Sequence, residues 1–95
     1  MDKEKLIDIL IEELLVLRAR LALSQDELSK LIGVSRQTYS AIEAKKRRMT
    51  WNTFLSLILV LTLNEKTALM LKTSGVFPSE LGSLFNVKEI ESVKT

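Results

Sequence analysis

The chain has 95 residues, 46% of them apolar and 27% charged, with a net charge of +2. That is one domain's length, with enough apolar material for a core and no room for a catalytic domain beside a regulatory one. The absence of cysteine and histidine excludes disulfides, Cys/His zinc sites and histidine acid–base chemistry, and three glycines with one proline favour helices joined by short links.

Residues 2–22 read as one long helix. Leu6, Leu10, Leu14, Leu17 and Leu21 recur on one stripe, with Ile7, Ile11 and Leu15 beside it. Asp8, Glu12 and Glu13 interrupt this apolar stretch, so it does not read as a secretory signal. Ser24-Gln25-Asp26-Glu27 has the spacing of a capping box, in which the Ser24 hydroxyl accepts from the Glu27 amide and the Glu27 side chain reaches back. A second helix therefore starts at Gln25, with Leu28, Leu31 and Ile32 as its apolar face. It stops at Gly33, the residue best able to take a left-handed conformation.

Ser35 is the next N-cap. It opens a third helix from Arg36 to about Ala44, with Tyr39 and Ile42 inward. Lys45 to Met49 is a basic loop. Thr50 caps a fourth helix from Trp51 to Leu63, whose apolar run falls short of the about 20 residues that span a bilayer. Asn64 or Thr67 opens a weaker fifth helix through about Lys72. Ser74-Gly75 with Pro78 marks a turn, Pro78 starts a short sixth helix through Phe85, and Glu89 to Thr95 is a polar tail. The predicted fold is all-α: a compact bundle of five to six helices with an extended N-terminal helix, one domain over 1–88 and a flexible tail over 89–95.

The charge is unevenly placed. Residues 1–15 hold two basic side chains against five acidic ones, whereas residues 16–50 hold eight basic against three acidic. The positive charge peaks at Lys45-Lys46-Arg47-Arg48, a candidate footprint for a polyanion. Taken alone, such a cluster is as readily a solvated loop.

Two short helices joined by a tight turn containing a glycine make a helix-turn-helix. The small Ser29 falls where the two helices approach most closely, and Leu28, Ile32, Val34, Tyr39 and Ile42 supply the apolar positions that set their angle. The string LxxxLxLSQDELSKLIGVSRQTYSAIEAKKR resembles the Cro/phage-repressor (XRE-type) helix-turn-helix domain over about Leu14 to Leu63. That resemblance implies a compact lambda-repressor-like fold, double-stranded DNA as partner, transcriptional regulation, and usually a homodimer. Three positions depart from the family pattern. Ser29 stands where alanine is common, and Tyr39 where an aliphatic residue is common, so its hydroxyl needs a polar outlet. Lys45 stands where glycine is usual, so it must accept a left-handed conformation or the helix must end differently.

On a helical wheel, Gln37, Ser40, Ala41 and Ala44 lie opposite the buried Tyr39 and Ile42, with Arg36 on a flank. Glutamine can pair with adenine, arginine with guanine, and an alanine methyl can touch the thymine methyl. Arg36, Gln37, Ser40 and Ala41 are therefore the candidate base-reading residues. Gln25 opens a helix whose amides and dipole favour a phosphate, a role the resemblance also implies. Lys45, Lys46 and Arg47 are candidate phosphate contacts, and Arg48 can join them. The resemblance implies a structural ion pair between Arg18 and Glu43.

The expected function is a sequence-specific DNA-binding regulator, a dimeric repressor with residues 36–44 in the major groove of a pseudo-palindromic operator. Residues 1–15, residues 51–88, or both, are the candidate dimer surface, because the N-terminal extension and the fourth helix carry more apolar surface than a minimal domain needs. Two other readings use the same residues: an antitoxin whose N-terminal helix engages a toxin, and a helical protein-interaction module without DNA. No nucleophile–base pair, phosphate loop or metal-ligand cluster is visible, so neither an enzyme nor a cofactor is expected. The expected setting is the cytoplasm of a bacterium, or of a phage's host, at the nucleoid and without a membrane partner.

Overall fold

A computed structural model describes residues 2–74. Five helices follow in order: α1 (Lys3–Leu21), α2 (Gln25–Ile32), α3 (Arg36–Glu43), α4 (Trp51–Leu63) and α5 (Glu65–Ser74). No strand occurs among the described residues. The all-α expectation holds, with five helices in the described part. The proposed turn near Pro78, the sixth helix and the tail lie outside it.

Local chemistry sets the helix ends. Asp2 caps α1 by accepting from the Lys5 amide at 3.1 Å. Ser24 and Glu27 form the full capping box, at 3.0 Å from the Glu27 amide to Ser24 Oγ and 2.9 Å from the Ser24 amide to Glu27 Oε1. Ser35 and Thr50 cap α3 and α4 through the amides of Thr38 and Thr53. α1 ends one residue sooner than the apolar pattern suggests. Ala22 turns left-handed at φ 57°, and Arg18 Nη1 donates to the Leu23 carbonyl at 3.1 Å, which fixes the exit toward α2. Of the two candidate starts for α5, Asn64 is the one used: its Oδ1 accepts from the Lys66 amide at 2.9 Å. Thr67 lies inside the helix, buried, with its hydroxyl donating to the Leu61 carbonyl at 2.6 Å.

The core gathers one face of every helix. Leu6, Ile7, Leu10, Leu14 and Leu17 of α1 meet Leu28 and Ile32 of α2, Tyr39 and Ile42 of α3, and Phe54, Leu57, Ile58 and Leu61 of α4, with Met49 and Leu71. α1 packs on α3, α4 and α5, while α2 packs on α3 and α4. The N-terminal extension is therefore core along one side: Leu6, Ile7 and Leu10 are inaccessible within a single chain. Leu15, placed beside the stripe by the sequence, is instead exposed. Truncating a side chain such as Leu10 leaves a cavity costing about 2–5 kcal/mol. The α2–turn–α3 unit thus rests on a continuous apolar platform.

Candidate nucleic-acid interface

The turn between α2 and α3 depends on one backbone conformation. Gly33 has φ 77°, and the Val34 amide closes back on the Ser29 carbonyl at 3.1 Å. A Cβ at Gly33 would meet nothing within 4 Å, so glycine is needed for its φ and not for space. Ser29 is buried where α2 meets its neighbours, and its hydroxyl donates to the Asp26 carbonyl at 2.8 Å. The serine is small enough to pack there and leaves no polar atom unsatisfied.

α3 turns its Tyr39–Ile42 side into the core. Its other side forms a shallow concavity lined by Arg36, Gln37, Ser40, Ala41 and Ala44, joined by Lys46 from the loop. All four expected base-reading residues fall on this one surface. Arg36 and Gln37 are exposed, and their side chains, like those of Lys46 and Arg47, have no partner among the described residues.

α3 closes at Glu43, one residue before the expected end. The Lys46 amide donates to the Ala41 carbonyl at 2.8 Å and the Lys45 amide to Ile42 at 3.0 Å, which is a Schellman closure. It forces Lys45 to φ 63°. The lysine therefore accepts the left-handed position where glycine is usual, and the basic loop leaves the helix along the glycine path.

Glu43 is the hub of the polar network behind this surface. Its carboxylate accepts from Arg18 Nε at 3.0 Å and Arg18 Nη2 at 2.9 Å, from the Tyr39 hydroxyl at 2.6 Å and from Gln25 Nε2 at 3.1 Å. The bidentate Arg18 pair ties α1 to the end of α3. Tyr39 finds its polar outlet one turn along its own helix. Burial pushes the Glu43 carboxyl up, but the Arg18 guanidinium and the Tyr39 and Gln25 donors outweigh it, and the net position is below the usual carboxylate range. Burial, then the hydrogen bond to Glu43, pushes the Tyr39 phenol far above its ordinary value, so it stays a donor. Gln25, expected at a phosphate, sits at the start of α2 with its side-chain amide held by Glu43. Its position is thereby fixed to α3.

The basic loop is not uniformly available. Lys45 Nζ pairs with Glu12 at 2.7 Å. Arg48 donates from Nε to Glu4 at 2.8 Å and from Nη1 to Asp8 at 2.5 Å. The sequence shows an acidic helix start and a basic loop without showing that they meet. The available signal was the spacing of Glu4, Asp8 and Glu12, which places them on one face of α1.

Residues 14–51 match the helix-turn-helix family model. This segment is a helix-turn-helix domain of the Cro/phage-repressor type. The match begins within α1 and ends at the start of α4, so it covers Arg18, Gln25, the concavity on α3 and the basic loop. It identifies the domain as a DNA-binding one. Neither a curated protein nor a solved structure matches the chain. Among the described residues no group of acidic side chains could hold a metal ion. No single described helix is long and apolar enough to cross a membrane; α4 and α5 reach that length only together, across a 119° bend.

Proposed function

We propose that this helix-turn-helix domain is a sequence-specific transcriptional regulator, a dimeric repressor that lays α3 in the major groove of a pseudo-palindromic operator and blocks a promoter by occupancy. Arg36, Gln37, Ser40 and Ala41 read base edges. Gln25 at the start of α2, with Lys45, Lys46 and Arg47, holds phosphates and sets the register. The observation that carries this reading is the concavity on α3. Hydrogen-bonding and methyl-bearing side chains converge there with Lys46, and Arg36 and Gln37 have no partner among the described residues.

In this reading the dimer contact lies on α4 and α5. Leu59, Leu63 and Leu69 of α4 and α5 are exposed, an unusual density of bare leucine. To serve a pseudo-palindromic operator, a two-fold pairing there has to set two copies of α3 roughly 34 Å apart, one turn of DNA.

The test is selection of binding sites from a random duplex pool by the wild type and by an Arg36→Ala/Gln37→Ala variant. The wild type is expected to enrich a pseudo-palindrome and the variant to lose it while still binding DNA at low salt. Failure of the wild type to enrich any sequence would refute the proposal.

A further inference from the structure

Three carboxylates stand at one-turn intervals on the exposed side of α1: Glu4, Asp8 and Glu12. The opposite side of the same helix is anchored in the core by Leu6, Leu10 and Leu14, so the acidic row is held rigidly. Across a cleft lined by Asp8, Ile11 and Glu12 on one wall and Lys45–Arg48 on the other, the row meets the basic loop. Glu12 takes Lys45 at 2.7 Å, and Arg48 Nη groups reach Glu4 and Asp8, each at 2.5 Å. Arg48 Nη2 also donates to the Glu4 carbonyl at 3.0 Å. To Arg48 this row presents what a DNA strand presents: anionic oxygens spaced along a rigid backbone.

Two further observations separate this arrangement from an ordinary structural brace. Every partner is open to water: side-chain exposure is 73% for Glu4, 62% for Asp8, 68% for Glu12, 56% for Lys45 and 47% for Arg48. Pairs this exposed contribute little to stability and exchange readily. The row also adjoins the candidate interface, because Lys46 lines both this cleft and the concavity on α3. All three acids precede the family-matched segment, which begins at residue 14.

We propose that Glu4, Asp8 and Glu12 act as an internal counter-anion that competes with DNA phosphates for Lys45 and Arg48 and so holds down affinity for non-cognate DNA. The inference rests on the DNA-binding reading above and adds regulation to it. Non-specific affinity comes almost wholly from cations that displace counterions from the phosphate backbone. Two of the loop's four cations, Lys45 and Arg48, are already neutralised within the chain, leaving Lys46 and Arg47 as the standing contacts to non-cognate DNA. A cognate site, with base contacts added, has more free energy available to open the pairs.

The test measures binding to a mixed-sequence duplex by fluorescence anisotropy across salt concentrations. The triple variant E4Q/D8N/E12Q is expected to bind about tenfold tighter than wild type at low salt. Its plot of log affinity against log salt should be steeper by about 1.8, or about 0.9 for each cation released. E12Q alone, which keeps the Arg48 contacts, should steepen it by about 0.9. The charge-matched variant E65Q/E89Q/E91Q controls for bulk charge and should stay near wild type. The cost of R48Q should differ between the two backgrounds, about threefold or more in the triple variant, where Arg48 is free for phosphates, and unlike that in the wild type. Triple and control variants that behave alike, or R48Q costing the same in both backgrounds, would overturn the inference while leaving DNA binding intact. No salt-dependent duplex binding by any of these proteins would remove the DNA-binding reading, and this inference with it.

Discussion

Replacing Arg18 by methionine tests the network that fixes α3 against α1. The substitution keeps the aliphatic stem and removes the guanidinium. Glu43 loses both of its charged hydrogen bonds and keeps the Tyr39 hydroxyl and the Gln25 amide. The Arg18 and Glu43 side chains are 19% and 9% exposed, so the pair is nearly buried. Removing one member of a fully buried pair costs about 3–5 kcal/mol. Partial solvent access at Arg18 brings the expected loss to about 2–3 kcal/mol at neutral pH.

The pH dependence of this loss has a definite sign. In the wild type the folded Glu43 carboxyl titrates below its unfolded value of about 4.3. Its contribution is therefore present above that value and lost as pH falls through the folded one. In the variant the guanidinium no longer lowers it, so the carboxyl titrates higher than in the wild type while Tyr39 and Gln25 still donate to it. The difference between the two proteins is fully expressed at neutral pH, where both carboxyls are ionised, and fades as both protonate in acid. The stability gap between the two proteins should be widest near pH 7 and shrink toward pH 3. Urea denaturation followed by circular dichroism at pH 7 and pH 4 measures it. Adding Glu43→Gln should recover most of the loss, because no charge then remains and the amide oxygen still accepts from Tyr39. A gap under about 1 kcal/mol that does not move with pH would refute the reasoning.

Other changes probe other parts of the account. Tyr39→Phe removes a 2.6 Å hydrogen bond to a carboxylate and should cost about 1.5–3 kcal/mol in the same denaturation assay. Ala22→Gly relieves a left-handed alanine at an exposed helix end. Strain of about 1–2 kcal/mol, less the extra flexibility of an unfolded glycine, predicts a net gain of about 0.5–1 kcal/mol, seen as a higher urea midpoint. Leu59→Glu/Leu63→Glu should leave helicity unchanged and abolish the proposed dimer, read as a monomer mass by light scattering, with weaker binding to a two-half-site operator.

The parts legible in the sequence are those governed by local chemistry. Ser24 with Glu27, Ser35 and Thr50 are caps whose partners lie three residues away, so spacing alone identifies them. Gly33 announces its left-handed turn for the same reason. The α3 surface follows from helical periodicity once Tyr39 and Ile42 are recognised as inward. The Arg18–Glu43 pair, 25 residues apart, follows from family resemblance and not from spacing. The need of Tyr39 for a polar outlet is visible in the sequence, but that Glu43, four residues on, supplies it is decided by packing. The contacts from Arg48 to Glu4 and Asp8 span 44 and 40 residues. They depend on how α1 lies across the basic loop, which no periodicity encodes. The exposure of Leu15 is a similar case: its wheel position borders the stripe, but only the packing of α3, α4 and α5 around α1 decides which border is covered.

The most direct measurement is a pair of binding-site selections with single substitutions, read against the wild type. Gln37→Ala should relax base preference at one symmetry-related pair of operator positions and leave the others unchanged. Lys46→Ala should weaken binding to all sequences alike and lower the salt slope by about 1, with the consensus intact. If Gln37→Ala leaves the selected sequence untouched, or Lys46→Ala changes it, then α3 is not the reading element and the assignment of base and phosphate contacts is contradicted.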